Sequence, residues 1–377
     1  MKKTLLVLLA VVWLCLAGCS VEMVGDTSEA AQNQGQETAL KDKSTLEGEY
    51  LLALVLDETS PEEEYHVEQI WAGISAFAEE MELTCAYYAA ASPNQAAREE
   101  AVNQAVLAGA EIVFCYGANY EPVVYQMQKT CPDTEFVLFD GEPRAADYSD
   151  YALGENVEAI YFAEAEMGYL AGYAAVMEGY TQLGFMAGLP VSSVMRYGGG
   201  YLQGIHDAAK ATQKQVTVTY YYSGLTTADD SLTSMAGNLY LNNVQVIFTC
   251  EEDFIPYLAK AAEAGNHKVI GVCPEDYTIS ETVLTCIKKE YAQMTELLLN
   301  NYYQEMFQGG TVQTLDVGDG AISLDMENSR FAVFSQTEYN TLLSALAEHK
   351  TVVQDISDPA YDLTTMYSDY VTVTVLE

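Results

Sequence analysis

Cys19 closes the sequence L-A-G-C at the end of an apolar run from Leu5 to Leu16, which follows the basic pair Lys2 and Lys3. Small residues at Ala17 and Gly18 let a peptidase close around the backbone, and the thiol behind them suits a thioether-linked lipid. The pattern resembles a bacterial lipobox and predicts a signal peptide over 1–19 that ends at a lipidated Cys19. The run is too short to span a bilayer, which takes roughly 20 apolar residues. Of the remaining cysteines, Cys85, Cys115, Cys131, Cys250, Cys273 and Cys286, none shows C-x-x-C spacing. Most fall in apolar runs, where a free thiol packs as a small hydrophobe. One pairing among Cys250, Cys273 and Cys286 stays open, because all three fall near neighbouring strand ends.

Other chemistry is thinly supplied. His66, His206, His267 and His349 are scattered, with no H-E-x-x-H spacing, and no G-x-S-x-G occurs. Metal-dependent or triad catalysis therefore lacks its parts, and the sequence predicts a chain that is not an enzyme, with no metal and no cofactor. Arg196 beside Gly198, Gly199 and Gly200 fits neither G-x-G-x-x-G nor G-x-x-x-x-G-K-[ST]. Close backbone packing explains those glycines better.

The elements that would carry a site come next. Residues 20–48 are rich in Gln, Glu, Thr, Ser, Ala and Lys and hold no aromatic residue, so they cannot bury enough apolar surface to order themselves and read as a tether. The body beyond exceeds the size at which a single core stops growing, which predicts two domains. With 16 Lys and Arg against 55 Asp and Glu, the formal charge of -39 argues against nucleic acid as a partner, since phosphate binding rests on Lys and Arg.

Short apolar runs alternate with helix-length segments, the signature of a parallel sheet covered on both faces. The first series is Tyr50–Asp57, Leu83–Ala89, Ile112–Gly117 and Phe136–Gly141. A second follows at Leu183–Gly188, Val216–Tyr222, Val246–Cys250 and Val269–Cys273. Asn94–Leu107 reads as a helix introduced by Ser92 as N-cap and Pro93 at its first position. The fold class is thus α/β, with two doubly wound parallel-sheet lobes whose strand carboxyl ends would enclose a cleft. The tail offers a helix around Glu338–His349 and an apolar strand at V-T-V-T-V-L, neither of which the sequence assigns to a lobe.

The blocks N-V-E-A-I-Y-F-A-E-A-E-M-G-Y-L-A-G-Y-A-A (Asn156–Ala175) and G-F-M-A-G-L-P-V-S-S-V-M-R-Y-G-G-G-Y-L-Q-G (Gly184–Gly204) carry a family likeness. They resemble the basic membrane protein lipoproteins, substrate-binding components of nucleoside-type ABC importers with a type I periplasmic binding protein fold. The likeness runs from about Leu51 to Leu324. It implies lobes joined by a multi-strand hinge, with 49–158 plus 283–308 in the amino-terminal lobe and 159–282 plus 309–377 in the carboxy-terminal lobe.

It also implies a purine nucleoside, its base between aromatic rings and its ribose hydroxyls on carboxylates and a lysine. Carried over by position, the ligand-binding residues are Asp57, Asp140 and Lys289, with Glu275 and Tyr222 as substitutes where the family pattern departs. The family's Ser-Phe-Asn triplet falls on Tyr65, His66 and Val67. His66 keeps a flat ring there, while Val67 offers no hydrogen bond. Cys273 replaces a family aspartate, and the second stacking phenylalanine is lost near Thr226.

The function so implied is that of an extracytoplasmic lipoprotein, anchored to the cell membrane, that hands a small nucleoside-like ligand to an ABC permease and its ATPase. The alternatives are a non-transporting surface sensor or scaffold with a diverged cleft, and an exported nucleoside hydrolase.

Overall fold

The two series of apolar runs become two sheets in the computed structural model, which describes residues 51–272, 280–358 and 361–376. The signal peptide, Cys19, the tether and Glu275 lie outside the described residues.

In the first half, β1 (Leu52–Leu56), β2 (Cys85–Ala89), β3 (Ile112–Tyr116), β4 (Glu135–Phe139) and β5 (Val157–Phe162) alternate with α1 (Tyr65–Met81), α2 (Gln95–Leu107) and α3 (Glu121–Thr130). Every residue of β1 is buried, as a central strand with helices on both faces requires. The helix at 95–107 is capped by Asn94, whose side chain accepts from the Ala97 N–H. Ser92 instead accepts from the Asn94 amide, so the cap lies two residues beyond the expected one.

The second half runs α4 (Glu164–Glu178), β6 (Gln182–Ala187), α5 (Ser192–Thr212), β7 (Val216–Tyr222), α6 (Ser231–Leu241), β8 (Val246–Thr249), α7 (Ile255–Ala262), β9 (Lys268–Val272) and β10 (Val283–Lys289). After it come α8 (Tyr291–Tyr303), β11 (Thr311–Leu315), β12 (Ile322–Leu324), α9 (Gln336–Ala347) and β13 (Val371–Leu376). Among the described residues one sheet has the order β11-β5-β4-β3-β1-β2 and the other β12-β10-β9-β8-β6-β7-β13. All pairings are parallel except that of β12 with β10.

Sheet membership departs from the expected lobe boundaries in three places. β5 extends the first sheet to Phe162 rather than stopping at 158. β10 belongs to the second sheet, although 283–308 was assigned whole to the first lobe; only α8 returns there, packing on α1. β11 joins the first sheet beside β5, not the second. Apolar runs report burial but not which sheet supplies a strand's neighbours, so these edges were not legible beforehand. The chain thus passes between sheets at Ala163, at Glu290 and between Leu315 and Ile322. Backbone bonds tie these crossings together, Ala163 N–H to Leu315 O at 2.8 Å and Glu290 N–H to Ala321 O at 2.9 Å.

Of the three glycines read as close-packing residues, Gly198 faces Tyr220 of β7, Gly199 faces Ile356 and Gly200 packs on α4. A methyl group on Gly200 would lie well inside contact with the carbonyl oxygen of Ala165, and one on Gly168 or Gly172 would meet the carbonyls of Tyr197 or Tyr201. Gly73 lets α1 approach α8, where an added methyl would fall 2.8 Å from Thr295 Cβ. The tail finds its place on the second sheet: α9 starts in a capping box of Ser335 and Glu338, and β13 pairs along β7. Cys286 is disulfide-bonded, while Cys85, Cys115, Cys131 and Cys250 carry free thiols. Among the described residues no helix is long and apolar enough to cross a membrane.

Candidate functional site

In a doubly wound sheet the two strands at which chain order reverses leave a crevice at their carboxyl ends. Those strands are β1 and β3 in the first sheet and β6 and β8 in the second. Contacts across the molecule show that the carboxyl ends of both sheets meet, since Lys289 at the end of β10 reaches Asp140 at the end of β4.

Asp57 follows β1 directly. Its carboxylate takes both prongs of the Arg98 guanidinium, Nε to Oδ1 at 2.7 Å and Nη2 to Oδ2 at 2.6 Å, and accepts from the Tyr120 hydroxyl at 3.3 Å. A bidentate pair of this kind fixes orientation as well as charge. Asp57 is therefore held by its own lobe instead of capping a helix. It lines a cavity of about 130 Å³ with Glu58, Glu64, Tyr116, Gly117 and Asn119.

His66 sits in the first turn of α1 and is 9 % exposed. Glu64, the N-cap, accepts from the backbone N–H groups of His66 and Val67 and from His66 Nδ1 at 2.7 Å. Nε2 lies 3.0 Å from Glu252, in the turn that follows β8 on the other sheet. Burial works against charge on the ring, but the hydrogen bonds and fields of Glu252 and Glu64 outweigh it and push its pKa up to about 9. The imidazolium lies face to face with Tyr116, centroids 5.2 Å apart and planes 16° from parallel, and meets Tyr291 edge-on at 5.2 Å.

Asp140 ends β4 with a left-handed backbone, φ 51°. It accepts from Lys289 Nζ at 2.9 Å and from the Tyr291 hydroxyl. Tyr291, 1 % exposed, also packs on Phe139 and Phe162, and the Lys289 ammonium lies 5.3 Å above the Phe162 ring. A chain of contacts thus links Tyr116, His66, Tyr291, Asp140 and Lys289, and the Asp57 cavity opens against Tyr116. Between the lobes, Tyr65, His66, Glu252, Val272, Ile287, Lys288, Lys289 and Tyr291 leave a space of only about 10 Å³.

Tyr222 stands apart. Its ring packs edge-on against Phe185 and Tyr220 of the second sheet, and burial, with Cys250 nearby, pushes its phenol up to about 12. Residues that sequence reasoning passed over are Glu64, Arg98, Tyr116, Glu252 and Tyr291. Tyr116 was within reach, as the last residue of the strand I-V-F-C-Y before a glycine. The helical Arg98 and the loop residue Glu252 carry no comparable signal. A wider depression of about 590 Å³ lies at the opposite, amino-terminal end of β9, away from every strand-end residue named above.

Two parallel-dominated sheets, strand ends facing and joined by three crossings, define the type I periplasmic binding protein-like class. The chain belongs to the Bmp family of PnrA-like ABC transporter substrate-binding proteins, whose model matches residues 53–357. It is similar to an ABC transporter nucleoside-binding protein, BmpA, of Lactococcus lactis subsp. cremoris, with 23 % identity over 298 residues, 74 % of this chain and 82 % of that one. Basic membrane protein A1 of Borrelia garinii is 22 % identical over 251 residues, 65 % of this chain and 72 % of its own. Among solved structures, an ABC transporter solute-binding protein from Conexibacter woesei superposes with a TM-score of 0.65 at 17 % identity, covering 81 % of this chain and 99 % of that one. The family is one of solute-binding proteins, not enzymes, that act outside the cytoplasm and pass a small molecule to an ABC importer.

Proposed function

We propose that this chain is a lipoprotein, tethered at Cys19, that closes its two lobes on a purine nucleoside or related compound and presents it to an ABC permease. One observation carries the ligand reading. At the facing strand ends, flat rings (His66, Tyr116, Tyr291) adjoin carboxylates (Asp57, Asp140) and an ammonium (Lys289). Rings provide apolar faces for a base, and charged groups make the stronger hydrogen bonds to neutral hydroxyls. Support also comes from the name of the Lactococcus relative.

Cavities of about 130 and about 10 Å³ fall below the roughly 300 Å³ at which small-molecule pockets begin. Ligand entry therefore requires the lobes to separate about the three crossings, a hinge motion. The test is thermal-shift screening of the chain against nucleosides, bases, sugars and amino acids. Ligand at about 100 times its Kd adds about 2.7 kcal/mol of stability. A shift from another class with none from nucleosides overturns the ligand assignment, and no shift from any class overturns solute binding. Mass spectrometry of the cell-expressed chain checks the anchor: an intact amino terminus refutes processing at Cys19.

A further inference from the structure

We propose that Glu64, His66 and Glu252 form a charged clasp across the cleft, so that closing the lobes takes up a proton and rising pH releases them. The proposal rests on the reading above only in requiring that the lobes open.

Its two carboxylates have different origins. Glu64 is fixed within the first lobe, because as N-cap it also holds the backbone N–H groups of His66 and Val67. Glu252 comes from the turn after β8, on the second sheet. His66 thus has one partner that stays with it when the lobes part, at 2.7 Å, and one that leaves, at 3.0 Å. An imidazolium donates from both nitrogens, whereas a neutral ring donates from one and turns a lone pair towards the other carboxylate. In the closed molecule a neutral His66 leaves one carboxylate without its donor, in a site where the ring is 9 % exposed. In the open molecule water takes the place of Glu252, and neutrality costs little.

The other groups facing His66 do not replace this switch. Tyr116 covers its face, while Tyr65 and Tyr291 meet it edge-on. Burial holds the phenols of Tyr116 and Tyr291 well above their usual range, so both stay neutral while His66 titrates. Lys288 and Lys289 line the same small space, but Lys288 is paired with Asp325 at 2.6 Å and Lys289 with Asp140 at 2.9 Å.

The sign follows from linkage. His66 holds its proton more tightly when closed, at about 9, than when open. Between the two values the ratio of closed to open molecules falls by up to about tenfold per pH unit as pH rises.

Fluorophores carried by unnatural residues at exposed Leu107 on α2 and exposed Leu241 on α6 report lobe separation in the full chain by energy transfer, without ligand, from pH 6 to 10. The expected result is loss of transfer as pH rises towards about 9, a midpoint moved to lower pH in Glu252→Gln, and a flat profile in His66→Gln. A flat wild-type profile, or a Glu252→Gln profile that overlays the wild type, overturns the clasp. Because no solute is added, this outcome is independent of whether any nucleoside binds.

Discussion

Replacing Lys289 by Met removes the ammonium that links the end of β10 in the second sheet to Asp140 at the end of β4 in the first. The side chains are 17 % and 20 % exposed, and the contact is 2.9 Å. Unit charges at such a separation attract by about 6 kcal/mol at an effective dielectric constant near 20. Exposed pairs return under about 1 kcal/mol of this, and breaking a fully buried pair costs about 3–5 kcal/mol. A pair four-fifths buried falls between them, so Lys289→Met should cost about 2–3 kcal/mol. Tyr291 still donates to Asp140 but brings no charge. Asp140→Asn removes the stranded charge, so the double variant should recover at least about 1.5 kcal/mol relative to the sum of the singles. Urea unfolding of the four proteins measures that coupling. Additivity within about 0.5 kcal/mol would show that the two lobes are not held together here, and would refute the reasoning.

Two further predictions concern the scaffold. Glu158 is 1 % exposed, one oxygen accepts from Gln313, and the other has no partner; burial, with Glu135 adding to it, pushes the carboxyl up to about 7. A folded-state value above the ordinary one gives stability that is whole below about pH 4.5 and lost as pH rises to about 7, a change of about 3 kcal/mol. Glu158→Gln should remove that loss, and urea unfolding at pH 5 and 8 with an unaltered pH dependence would count against it. Gly200→Ala drives a methyl group into the Ala165 carbonyl, so it should cost about 3 kcal/mol or more by forcing α4 from α5. A melting temperature within a degree of wild type would contradict the packing described.

Strands were the most legible part of the fold. The runs V-I-F-T-C and I-V-F-C-Y-G are almost wholly apolar, and each became a strand within a residue or two of its expected span. β5 was not read as a strand, because V-E-A-I-Y-F carries Glu158 at its second position, a residue whose burial Gln313, the Gln308 backbone and a raised pKa make tolerable. Sheet order at the hinge was equally hidden, since neither V-L-T-C-I-K-K nor T-V-Q-T-L says which sheet supplies its neighbours, and β10 and β11 belong to different ones. At the site, Asp57, Asp140 and Lys289 were named from strand ends and a resemblance; Asp140 and Lys289 meet between the sheets, while Asp57 stays within its own lobe at the end of β1. Their partners, Arg98 and Tyr291, come from helices, where spacing gives the face but not the target.

The sequence by itself determined the alternation of apolar strands and helices, the close-packing glycines, and the placing of Asp57, Asp140 and Lys289 at strand ends. The strands and helices follow from local periodicity, and the glycine contacts from what a residue without a side chain lets approach. Only the tertiary structure decided that Asp57 is taken by Arg98, that Asp140 bridges to Lys289, and that His66 lies between carboxylates of opposite lobes. Those pairings join residues far apart in the chain, and electrostatic energy depends on separation in space, which no spacing in sequence records.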